Sequence, residues 1–123
     1  MRNWILPLIA TTPFVWACTA SFPAPTQRMA DAESAERSAR EVGADSQPVA
    51  KLEVKLAEEQ INKAKALIAA GENRRADFVL MRARADAELA LGLAREQNAN
   101  VDTQKAIEQS RVTAVANTAG ARP

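Results

Sequence analysis

Alanine fills 27 of the 123 positions, and over long stretches it recurs at three- and four-residue steps. That spacing is the stripe of an amphipathic helix, and alanine is the strongest helix former. An alanine seam lets two helix axes come close but adds little volume between them. The chain is therefore restricted to thin, closely packed helices. Nearly half of the residues count as hydrophobic (47%), which overstates the core, because alanine supplies 27 of those 58 positions. From Cys18 onward Phe22 and Phe78 are the only aromatics. A large close-packed core, a β-sandwich and most catalytic α/β architectures are excluded.

Three helices are predicted. Met29, Ala32, Ala35, Ala39 and Val42 line one face of a first helix from about Arg28, with Glu33–Arg37 and Glu36–Arg40 in the favourable i,i+4 order. Gly43 is its expected stop, and Ala44 to Pro48 reads as a loop. A second helix begins near Ser46 or Pro48. Its seam is Val54, Ala57, Ile61, Ala64 and Ile68, and Leu52, Leu56 and Leu67 are expected to widen it. Gly71-Glu72-Asn73 marks the turn, and a third helix runs from about Asn73 to about Asn98. It carries two stripes: Ala76, Leu80, Ala83, Ala87, Ala90 and Ala94, and then Phe78, Met81, Ala85, Leu89 and Leu93. Two stripes call for two neighbours, or one neighbour and a partner.

The short turn at Gly71 forces an antiparallel hairpin. The expected fold is all-α: a helical hairpin extended to a small three-helix bundle, with residues 99–123 a weakly helical or disordered tail, or a weak fourth C-terminal helix. Ala64-x-x-Leu67-x-x-x-Gly71-Glu72-Asn73-x-x-Ala76 resembles the inter-helix turn of a tetratricopeptide repeat. The absence of a 34-residue period argues against such a solenoid.

The N-terminus reads as an export signal. Met1-Arg2-Asn3 is followed by a mainly apolar run, Trp4 to Trp16, too short for a bilayer core that takes about 20 residues. Val15-Trp16-Ala17-Cys18 resembles the bacterial lipobox, in which cleavage falls between Ala17 and Cys18 and the cysteine is acylated. Trp16 departs from the small residue usual there. The competing reading is ordinary signal cleavage after Ala17, leaving a soluble periplasmic protein. The segments are thus a leader (1–17), an acylated cysteine and Pro-rich tether (18–27), an Ala-rich helical domain (28–98) and a tail (99–123). Thr19 after the cysteine favours a periplasm-facing lipoprotein of the outer membrane under the enterobacterial sorting rule.

Sixteen Lys and Arg oppose fifteen Asp and Glu, interspersed, which is no footprint for nucleic acid. With no histidine and one cysteine, the chain lacks the usual near-neutral acid/base and any internal disulfide. No Gly-rich phosphate loop, activated serine or metal-ligand spacing occurs, so no enzyme activity and no cofactor are expected beyond a covalent lipid on Cys18.

Two further features bear on identity. The turn Ala70-Gly71-Glu72-Asn73 follows the Leu52–Ala70 helix, and Ala83-Arg84-Ala85-Asp86-Ala87-Glu88-Leu89-Ala90 resembles an Ala-x-x-Asp-Ala-Glu-Leu-Ala signature. Over roughly Cys18 to Gln97 the chain is similar to the bacterial family called domain of unknown function 4398. The resemblance implies a small exported protein, often a lipoprotein, sometimes beside OmpA-like peptidoglycan-binding domains. It implies no catalytic residues.

The candidate partner surface is Arg74, Arg75, Phe78 and Arg82. The arginines read either as a solvated face, with Arg82–Asp86 and Arg84–Glu88 pairing locally, or as a surface for peptidoglycan carboxylates or lipid phosphates. Phe78 with Met81 reads first as core, and alternatively as an exposed patch that docks another helix. The expected function is a non-enzymatic envelope module held by acylated Cys18. Its expected partners are the outer membrane, an envelope protein or peptidoglycan, and a second copy through a shared helical face. A non-covalent peptidoglycan-binding spacer is the alternative, as is a soluble chaperone-like protein without the lipid.

Overall fold

The structure, a computed structural model, describes residues 22–120; Ala17 and Cys18 lie outside the described residues. Helix α1 spans Thr26–Glu41, a 3-10 turn spans Ala44–Ser46, α2 spans Pro48–Ala69 and α3 spans Asn73–Gly120. The described residues contain no strand.

Local chemistry sets each boundary. Gly43 follows α1 in the left-handed region (φ 94°), and its N–H donates to the Arg40 carbonyl at 2.9 Å. Pro48 opens α2 behind an extended Gln47, because its fixed φ suits the first turn and its missing N–H is not needed there. Gly71 (φ 77°) ends α2 in a Schellman motif. Its N–H donates to the Ile68 carbonyl and that of Glu72 to the Leu67 carbonyl, both at 2.9 Å. The chain then reverses, and α3 runs back antiparallel along α2, while α1 lies mainly on α3 with a narrower contact on α2.

The seam on α3 is the expected one: Ala76, Leu80, Ala83, Ala87, Ala90 and Ala94 are all buried. Val54, Ala57, Ile61 and Ala64 face it from α2, joined by Ala50, and Ala32 and Ala39 from α1. Two clusters result. Ala32, Ile61, Ala64, Ala76, Leu80 and Ala83 form one toward the Gly71 turn. Ala39, Ala44, Ala50, Val54, Ala90 and Ala94 form the other toward the loop after α1. Among the described residues, eleven of the fourteen buried hydrophobic ones are alanine, and Leu80 and Val54 are the largest fully buried side chains. The interior is thin, as an alanine seam dictates.

Polar contacts fasten the elements at their ends. The Arg40 guanidinium donates to Glu36 at 2.9 Å, Asp45 at 3.2 Å and Glu58 at 3.0 Å, joining α1, the 3-10 turn and α2. Its pKa is raised, chiefly by the hydrogen bond to Glu36. Asn98 Nδ2 donates to the Val42 carbonyl at 3.0 Å. Gln60 Nε2 donates to Asp86.

Three expectations are corrected. Leu52 and Leu56 do not widen the α2 seam; both are exposed, because two residues from Val54 along a helix is a turn of about 200°. Phe78 and Met81 are not core: they are 61% and 48% exposed on the side of α3 turned away from α1 and α2. Finally, α3 neither ends at Asn98 nor hands over to a separate fourth helix; it continues unbroken to Gly120. What ends near Asn98 is packing, since every residue from Arg95 to Gly120 is exposed. Ala, Gln, Glu, Lys and Arg, strong helix formers, carry the helix onward without a neighbour.

Candidate functional site

The predicted turn and partner surface occupy the end of the bundle where α2 meets α3. Asn73, the first residue of α3, uses its side-chain amide to donate to the Phe22 carbonyl at 2.7 Å. The Arg74 guanidinium lies 6.0 Å from the Phe22 ring centroid, in cation–π range. Pro25 is buried, and Arg28 pairs with Asp77. Residues 22–25, just before α1, are thereby clasped to the start of α3. Phe22, Pro23, Gly71, Glu72, Asn73 and Arg75 line an open hollow at this end.

The structure divides the predicted site. Gly71 shapes the turn, and Arg75 is tied to Glu72 in a local ion pair. Arg74, Phe78 and Arg82 stand four residues apart and form one exposed ridge on α3. Of the two local pairs expected on this helix, Arg84–Glu88 is present at 2.7 Å, with Arg84 also 3.5 Å from Asp31 of α1. The expected Arg82–Asp86 pair is not made, because Asp86 turns to Gln60 on α2. Among the described residues Arg82 therefore has no ion-pair partner.

Phe78 continues into Met81, Ala85, Leu89 and Gly92, all exposed. The second stripe predicted on α3 is real, but no helix among the described residues covers most of it. Leu93 alone in that stripe is half-buried, against the start of α2. Phe22 was not anticipated as part of the site; its isolation as the lone aromatic of the tether was the available signal. At the opposite end, local spacing marks Arg40 only as half of a helical pair. Its tie to Glu58 joins residues 18 positions apart, beyond the reach of a helical period.

Among the described residues this arrangement offers exposed surfaces and a fastening between elements. Among the described residues no group of three or more His, Cys, Asp or Glu side chains could hold a metal ion. No described helix is long and apolar enough to cross a membrane.

Comparison with known proteins places the chain in one family. No curated protein and no solved structure matches it. A family model does match, over residues 27–106, covering all of α1 but its first residue, all of α2 and the packed part of α3. The match starts later than the resemblance read from the sequence and reaches past Gln97 onto the unpacked part of α3. With about two thirds of its length matched, the chain belongs to the family described as Domain of unknown function (DUF4398).

Proposed function

We propose that this protein is a non-enzymatic lipoprotein of the cell envelope, anchored through acylated Cys18 and presenting a helical module to periplasmic partners. The observation that carries the reading is the placement of the clasp. Phe22 stands four positions after Cys18 and is fastened to Asn73 and Arg74. An anchor at Cys18 would hold the chain close to the α2–α3 turn. Helix α3, 48 residues long, then reaches about 72 Å from that end. Several buried acyl chains, at about 0.8 kcal/mol per CH₂, supply a nearly permanent hold on the outer membrane. The interspersed charges supply no polybasic patch that would substitute for it.

Fractionation tests this directly. The wild-type chain is expected with outer membranes, and Cys18→Ser in the soluble periplasmic fraction. Membrane retention of Cys18→Ser equal to wild type would sink the anchor. The long exposed end of α3 favours one second reading, a spacer that reaches the cell wall and holds peptidoglycan non-covalently. Co-sedimentation with purified sacculi tests it, and failure to sediment removes that role while leaving the anchor standing.

A further inference from the structure

We infer that the bare face of α3 is a self-complementary docking surface for a second copy of this chain, packed antiparallel about a two-fold axis at Ala85. The face is made of Arg74, Phe78, Met81, Arg82, Ala85, Glu88, Leu89, Gly92 and Glu96, every one exposed. Phe78, Met81 and Leu89 are 61%, 48% and 50% accessible, the wrong side of a helix for side chains of that size unless something covers them.

The order of these residues chooses the occupant. An antiparallel two-fold at Ala85 places each residue opposite the one equally far on the other side of position 85. Arg82 then meets Glu88, three positions away on either side, and Arg74 meets Glu96, eleven away. Met81 meets Leu89, and Phe78, seven away, meets the open backbone of Gly92, beside which nothing lies within 4 Å of an added Cβ. Ala85 meets itself, so the two axes can approach closely. A parallel, in-register pair would instead set Arg82 on Arg82 and Glu96 on Glu96. One like-charge match occurs in the antiparallel register, Arg75 on Arg95, and there Arg75 is already neutralised by Glu72. Glu88 is held by Arg84 of its own helix, whereas Arg74, Arg82 and Glu96 have no ion-pair partner among the described residues.

The contact is modest. Residues 74–96 span about 33 Å of helix. A ribbon roughly 10 Å wide along it covers about 330 Å² per copy, well below the ~800 Å² per partner of a stable complex. Pairing is accordingly weak and dynamic in solution, and it strengthens where copies are concentrated. It requires no acylation.

Disulfide trapping in the full chain carrying Cys18→Ser tests the register, because Ala85→Cys then supplies the sole thiol. Helix axes 8–10 Å apart with Cα radii near 2.3 Å leave facing Cα atoms about 3.4–5.4 Å apart, which overlaps the disulfide range. Mild oxidation is expected to give a covalent dimer with Ala85→Cys at least tenfold faster than with Ala66→Cys on the outer side of α2. Ala99→Cys, which a parallel pair would also link, is expected to stay monomeric. Equal rates at positions 85 and 66, or efficient linking at 99, would overturn the proposal. Charge exchange is the second readout. By sedimentation at low salt, Arg82→Glu and Glu88→Arg are each expected to weaken association about tenfold, and the double variant to restore it. Failure of the double variant to recover would also overturn the proposal.

Discussion

Ala83 has no accessible surface and sits where α1, α2 and α3 meet, among Ala32, Ile61, Ala64 and Leu80. A larger side chain there must push helices apart. Ala83→Leu is expected to cost about 1–3 kcal/mol in urea unfolding. Ala66→Leu, at an exposed position of the same helix pair, should stay within about 0.5 kcal/mol of wild type. Equal effects would show that the seam tolerates a wider spacing. Leu80 poses the opposite case: it is one of two larger side chains fully enclosed. Leu80→Ala is expected to cost about 2–5 kcal/mol, enough to unfold much of a small bundle, as circular dichroism would show. At Gly71 an added Cβ meets nothing within 4 Å, so only the backbone at φ 77° resists substitution. Gly71→Ala should therefore lose about 1–2 kcal/mol, and Gly71→Asn, which tolerates that region better, distinctly less.

Helix α3 joins two regimes in one element. As far as Ala94 its buried face is held by α1 and α2, whereas its last twenty or so residues stand alone. A helix without tertiary contacts depends on propensity and on propagation from its packed part. Amide exchange measured by mass spectrometry should thus be fastest in α3 beyond Asn98 and slowest around Leu80 and Ala87. Removing residues 101–123 is expected to lower the helical signal yet hardly move the unfolding midpoint. A large drop in midpoint would mean the arm packs on something. The same division explains what could be read in advance. The 4-3-4-3 steps of α2 and α3 reveal their seam, because side-chain period and buried face are one fact. They do not reveal that Phe78 and Leu89 stay bare, since periodicity says a face is apolar and is silent on what covers it. The boundary expected at Asn98 is where neighbours stop, and polar residues with good helix propensity cross it without a signal. Ties such as Asn73 to Phe22 and Asn98 to Val42 join residues more than fifty positions apart, beyond the reach of local pattern.

Taken whole, the molecule is a thin bundle with a long arm, and its alanine interior buries little apolar area per residue. High helicity with a low or broad melting transition is expected by circular dichroism, the midpoint rising with protein concentration as copies pair. A sharp, high, concentration-independent melt would show that the close seam compensates for its small side chains. The antiparallel pair would set the two Asn73 turns at opposite ends, about 36 Å apart. Under the proposed acylation, two anchors so placed would reach one bilayer when the pair lies along it, and the membrane would concentrate the copies that the small interface alone holds weakly. The proposed anchoring rests on Cys18, which on that reading ties the helical module to a compartment. Intact-mass spectrometry of the protein extracted from membranes is accordingly the most direct test. The account predicts a mature chain beginning at Cys18 and carrying the added mass of acyl chains. A mature chain with an unmodified thiol, recovered from the soluble fraction, would contradict it.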